Sequence, residues 1–268
     1  MKNLLIIFSL LFSFTVISCA KKSDDSSSST TSSGLFVAVG DNGKILTSSD
    51  GTTWTSRTSG TTEYLRGGAY GNSTLVVVGA SGTILTSSDG NTWTSRTSGT
   101  SNFLGNVTYR NSTFMAVGNS GTILTSSDGT TWTSKTSGTS EDLWGVTYGN
   151  STWVTNGDNG SIFTSSDGTS WDNRTSSTKN SLAGLTYENS TFVTVGGSGT
   201  ILTSSDGTSW TSRTSGASDT LWGVIYGKSA YVVVVGTLGT VLTSSDLTTW
   251  TSRTSNTSNN LLEVTYKE

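Results

Sequence analysis

Side chains that could carry chemistry are few in this 268-residue chain, and their identities close off most options at once. There is no His and only one Cys. A Ser-His-Asp triad, an imidazole relay or metal ligand, an internal disulfide and a thiolate zinc centre are therefore excluded. What remains are carboxylates and aromatic rings. Glu63, Glu141, Asp142 and Asp219 lie in short variable stretches, and hydrolysis of a glycosidic bond needs two such groups roughly 5 to 10 Å apart. Tyr64, Arg66, Phe103, Trp144 and Trp222 fall in the same stretches. Flat rings with a few oriented polar groups make a platform for a sugar or a peptide, or else a plug for a channel. A second acidic set is strictly spaced: Asp50, Asp89, Asp128, Asp167, Asp206 and Asp246, each followed by a Trp at Trp54, Trp93, Trp132, Trp171, Trp210 and Trp250. Even spacing keeps these carboxylates apart, which argues against a metal or catalytic cluster. No metal and no cofactor is expected. With a formal net charge of -3 and 12% charged residues there is no basic field for phosphates, so nucleic acid is not an expected partner.

The elements that must position these residues follow from an internal repeat. The six landmark Trp residues are spaced 39, 39, 39, 39 and 40 apart, and Tyr70, Tyr109, Tyr148, Tyr187, Tyr226 and Tyr266 repeat the same intervals. The one extra residue falls between Tyr226 and Gly236, where a longer turn or a β-bulge can absorb it. Each copy holds four short segments rich in Val, Ile, Thr and aromatics, broken by turn residues such as Gly149-Asn150, Gly118-Asn119-Ser120-Gly121 and Asp128-Gly129. Four antiparallel strands per copy predict an all-β, six-bladed β-propeller; a β-helix needs a shorter period. The chain enters at LFVAVG, a second strand, and leaves at LLEVTY, a first strand. One blade is thus expected to be closed by both chain ends, its inner strand from residues 261 to 266 and the other three from 35 to 57. Closure of this kind removes the open edge between first and last blades.

The recurrent SSDGTTW, SSDGNTW, SSDGTSW and SSDLTTW turns resemble the Asp-box, or bacterial neuraminidase repeat, motif. The resemblance implies a structural role: the carboxylate accepts backbone N–H groups of a tight turn while the ring wedges into the blade. Two departures stand out, one residue fewer between Asp and Trp and Leu247 in place of Gly, so the sixth box is expected to be the most distorted. Asp-box propellers include sialidases, other glycosidases, sorting receptors and photosystem assembly factors, so the resemblance implies fold more than activity. A sialidase would need a central arginine triad, and only Arg66 sits in the variable loops. The expectation is a non-enzymatic binding propeller, with a sialidase-like glycoside hydrolase or a ligand-free coat protein as alternatives. Arg57, Arg96, Lys135, Arg174, Arg213 and Arg253 form a further ladder on the outermost strand, read as edge protection rather than as a ring for an anionic partner.

Residues 4 to 17 form an apolar run after Lys2, too short to span a bilayer and suited to a signal peptide. Val16-Ile17-Ser18-Cys19 resembles the bacterial lipobox, which implies lipidation of Cys19. The expected organisation is a signal peptide over 1–18, a lipidated Cys and Ser-rich tether over 19–34, and the propeller over 35–268. The expected partners are a membrane, through the lipid on Cys19, and a glycan or protein ligand. The location implied is the bacterial cell envelope, at the outer membrane or cell surface, since no Asp follows the Cys.

Overall fold

The computed structural model describes residues 14–19, 34–227 and 231–264, with 14–19 and 231–234 described as backbone alone. Six four-stranded antiparallel sheets arise, each with strands adjacent in sequence order. The third is representative: Leu104–Arg110 innermost, then Thr113–Gly118, Thr122–Ser126 and Thr133–Thr136 at the rim. Successive inner strands pack side by side around a common channel. The chain is a six-bladed β-propeller.

The second strand of each blade shows why. In blade two, Thr74–Gly79 reads TLVVVG, an unbroken apolar run rather than an alternation. Leu75 and Val77 point toward blade one, joining Val37, Val39 and Ile45, while Val76 and Val78 point the other way and join Leu104, Phe114 and Leu124 of blade three. A strand buried on both faces reads as a continuous apolar run. Five of the six rim strands carry Thr, Ser and one basic residue instead, with the Thr and Ser exposed, and the fourth reads Asp172-Asn173-Arg174. In five blades the Arg of that strand donates through Nε to a Thr Oγ1 of the third strand, as Arg96 does to Thr86 at 2.8 Å.

First and second strands are joined by two-residue turns such as Asn72-Ser73, both left-handed at φ 45° and 56°. This is the mirror-image turn that matches strand twist. Gly227 pairs with Tyr231 in blade six, so the extra residue of that copy lies in the turn 228–230, outside the described residues.

All six Asp boxes form. Asp128 Oδ1 accepts the N–H groups of Thr130 and Thr131 at 2.7 and 2.9 Å, and Ser126 Oγ donates to the same oxygen at 2.9 Å. Ser126 Oγ in turn accepts the Gly129 N–H at 2.8 Å. These donors hold every box carboxylate below the ordinary range; Asp89 falls to about 2, with the Thr92 N–H the largest cause. The sixth box is not the distorted one expected. Leu247 takes the left-handed conformation at φ 61°, and Asp246 still accepts Thr248 and Thr249 at 2.8 Å. What the sixth copy lacks is the bond from the indole, and Trp171 of the fourth copy shares that lack.

Closure departs from expectation. The inner strand of blade one is Phe14–Cys19, paired with Leu35–Gly40 from Phe14 opposite Gly40 to Cys19 opposite Leu35. Residues 261–264 are not in a strand, and 265–266 lie outside the described residues. A free edge accepts whichever extended apolar segment reaches it, and FTVISC is one. The remainder of the expected leader, 1–13, and of the expected tether, 20–33, also lies outside the described residues.

Candidate functional site at the channel mouth

Blades two to six share an irregularity that builds the site. Each inner strand pairs its first residue, skips the next and resumes at the third, as in Leu65 opposite Gly79 and Gly67 opposite Val78. The skipped residue is a bulge, and bulges re-aim side chains. The skipped residues are Arg66, Gly105, Trp144, Ala183 and Trp222. Around the ring, large side chains alternate with small ones. Gly105 stands between Arg66 and Trp144; a Cβ there would lie 3.3 Å from Arg66 Nη1 and 3.4 Å from the Trp144 ring. Its missing side chain lets those two meet, with Arg66 Cζ 5.5 Å from the Trp144 ring centre and Nη1 donating to the Gly105 carbonyl at 3.1 Å.

Tyr64 and Phe103, each preceding an inner strand, extend the surface. Their rings stack at 6.1 Å with planes 5° apart, and Phe103 leans on Trp144 at 6.3 Å and 57°. Asp158 fixes the end of this rail, accepting the Trp144 indole N–H at 2.9 Å. Trp222 stands two blades away, its buried Nε1 without a hydrogen-bond partner among the described residues. The five residues Tyr64, Arg66, Phe103, Trp144 and Trp222 line one mouth cavity of about 520 Å³, joined by the polar residues Asp158, Asn180, Ser181 and Thr220. Beneath it the channel opens to about 410 Å³ between glycines of the inner strands and reaches Glu263. Glu263 lines this space with its side chain solvent-exposed, and the surrounding channel wall raises its pKa by desolvation, against opposing pulls from the Val264 N–H and Arg66.

The acids of the variable loops go elsewhere. Glu63 Oε2 accepts Ser81 Oγ at 3.0 Å, Glu141 Oε2 accepts Asn159 Nδ2 at 2.7 Å, Asp142 Oδ1 accepts the Ser120 N–H at 2.8 Å, and Asp219 Oδ2 accepts Thr240 Oγ1 at 3.0 Å. Each fastens one blade's entry loop to a second-to-third-strand turn, and none of the four lines the mouth cavity or the space beneath it. Asp158 and Glu263 do, and neither was singled out by sequence reasoning. Asp158 opens a second-to-third-strand turn, where the copies differ as freely as in the entry loops, and Glu263 replaces the Gly or Asn of the other inner strands. Those departures were the available signals.

No family model and no curated protein matches the sequence. Solved structures do. YCF48 bound to D1 peptide superposes with a TM-score of 0.65 at 18% identity, over 81% of this chain and 76% of that one. YCF48 from Cyanidioschyzon merolae gives 0.66 at 17%, over 85% and 84%. The WD40 β-propeller domain of Doa1 gives 0.65 at 12%, over 79% and 75%. All three share the propeller fold.

Proposed function

We propose that this chain is a non-enzymatic propeller that binds an extended peptide of a partner protein across the channel mouth. The observation that carries this is the convergence of the bulge residues Arg66, Trp144 and Trp222 with the Tyr64–Phe103 stack on one cavity. Aromatic faces supply most of the contact area there, while the Arg66 guanidinium supplies donors for backbone carbonyls. The structural neighbour bound to a D1 peptide supports a peptide as ligand. A glycan is the second reading, favoured by the flat Tyr64–Phe103 rail. The absence of catalysis is supported by the loop carboxylates, each of which is held by a turn.

Anchoring belongs to the same proposal: Cys19 takes a lipid, and the tether after it holds the propeller at the bacterial envelope surface. Several acyl chains exceed what stable anchoring requires. Labelled fatty acid should enter the wild type and not Cys19→Ser. The binding reading is tested on peptide and glycan arrays. A Trp144→Ala/Trp222→Ala double variant with an unchanged circular dichroism spectrum should lose signal at least tenfold; equal signal from both proteins refutes it. Turnover of a fluorogenic glycoside panel would overturn the non-enzymatic reading.

A further inference from the structure

The charges at the channel mouth do not balance. The mouth cavity and the channel space beneath it share Tyr64, Arg66, Trp144, Ala183 and Trp222 as lining residues, and together they form one recess. Three charged residues line it: Arg66, Asp158 and Glu263. Arg66 is already engaged, its Nη1 donating to the Gly105 carbonyl at 3.1 Å and its Cζ 5.5 Å from the Trp144 ring centre. Neither acid has an ion-pair partner among the described residues. Asp158 accepts the Trp144 indole N–H through Oδ1 at 2.9 Å, a neutral donor that leaves its charge uncompensated. Glu263 accepts the Val264 N–H at 3.4 Å, again a neutral donor.

The uncharged part of the wall suits a cation. Tyr64, Phe103, Trp144 and Trp222 put four aromatic rings on the recess, and the negative face of a ring attracts an ammonium or guanidinium group. Arg66 over Trp144 shows this pairing within the molecule itself, whereas Trp222 carries no such cation among the described residues. Between the two indoles the wall is low: blade five places Ala183 at its bulge and Gly197 where blade four has Asp158, and both small residues line the cavity. A long aliphatic stem packs along apolar walls of this kind while its charged head reaches a polar end. From these observations we infer that the recess selects a basic side chain, Lys or Arg, of the bound peptide, its stem between Trp144 and Trp222 and its cationic head toward Asp158 and Glu263. The inference rests on the peptide-binding reading for its natural ligand and adds the chemistry of the partner. An acidic side chain in the same place would meet two like charges and one cation already engaged.

The test uses the full chain with isotope-labelled Trp, observed by NMR at the indole N–H, and the N-acetyl methylamides of lysine, norleucine and glutamate as probes. Norleucine keeps the aliphatic stem and lacks the ammonium group. Trp144→Phe and Trp222→Phe assign the two mouth indoles, while the Trp93 indole, donating to the Gly90 carbonyl at 3.2 Å, reports an intact blade. The lysine probe should shift the Trp144 and Trp222 resonances saturably and bind at least about tenfold more tightly than norleucine, with glutamate weaker still and Trp93 unmoved. Asp158→Asn combined with Glu263→Gln removes both charges and keeps an acceptor for the Trp144 indole; it should cut the lysine preference to about threefold or less with the Trp93 resonance in place. Equal binding of lysine and norleucine, tighter binding of glutamate, no shift from any probe, or an undiminished preference in the double variant would each overturn the inference. Array signal that depends on Trp144 and Trp222 but persists on peptides without Lys or Arg would also overturn it and leave peptide binding standing. A lysine preference without any such array signal would support the cation site and overturn the peptide reading.

Discussion

Two leucines adopt a backbone conformation that leucine disfavours, and their different surroundings make opposite predictions. Leu238 has φ 53° and is 66% exposed on the channel-mouth face. The five equivalent residues, Asn42, Ser81, Ser120, Asn159 and Ser198, share that conformation at φ 52° to 55°. A left-handed leucine costs about 1–2 kcal/mol, whereas Asn visits the region readily. Leu238→Asn sacrifices little packing, roughly 0.5–1 kcal/mol for a side chain about one-third buried. The net expectation is a gain of about 0.5–1 kcal/mol, or roughly 1–4 °C in Tm for a domain of this size. Leu247 has φ 61° but is partly buried against the apolar cluster that contains Val193, Val195 and Leu242, as is Trp250. Leu247→Gly relieves the same strain, loses that packing and adds about 0.5–1 kcal/mol of backbone entropy, so it should be neutral or destabilising. Urea midpoints at unchanged m-value and thermal scans of both variants decide the matter. A Leu238→Asn protein less stable than wild type, or less stable than Leu247→Gly, would refute the strain argument.

The remaining predictions concern the scaffold. Box carboxylates held below their usual value of 3.8 contribute stability that is present above that pH and lost as pH falls toward about 2 and lower; the urea midpoint should hold steady from pH 7 to 5 and decline below 4, and Asp128→Asn should decline less. Gly79→Ala places a Cβ 2.1 Å from the Tyr64 carbonyl oxygen, a backbone atom with no room to give; a loss of at least about 2 kcal/mol is expected in denaturant titrations. Asn156 is fully buried where the other copies carry Val, and its Oδ1 has no partner among the described residues. Its Nδ2 donates to Thr194 Oγ1 and the Gly184 carbonyl, and that carbonyl also accepts from Thr194. Asn156→Val should therefore stay within about 1 kcal/mol of wild type in the same titrations.

Blade number, strand order and the Asp-box turns were legible because each depends on contacts a few residues long: Ser126, Asp128 and Gly129 satisfy one another within four positions. The aromatic residues at the mouth were also visible, since they interrupt copying against a repeated background. Two things were hidden. The bulge that aims Arg66, Trp144 and Trp222 is a register event between strands, and no residue type announces it. The role of Glu141 and Asp142 was hidden because their partners, Asn159 and Ser120, belong to other turns 18 and 22 residues away. Closure was misjudged for a different reason: repeat logic identifies the segment that matches, and an edge strand is filled by backbone hydrogen bonds that any extended segment can make.

The bulge residue has no ladder partner, so replacing its side chain disturbs no hydrogen bond of the strand ladder. On the peptide-binding reading proposed above, specificity and folding are written in separate places of a near-duplicated gene. A new ligand preference needs one codon per copy, and recombination between copies can permute the rim wholesale while the surrounding architecture is inherited unchanged.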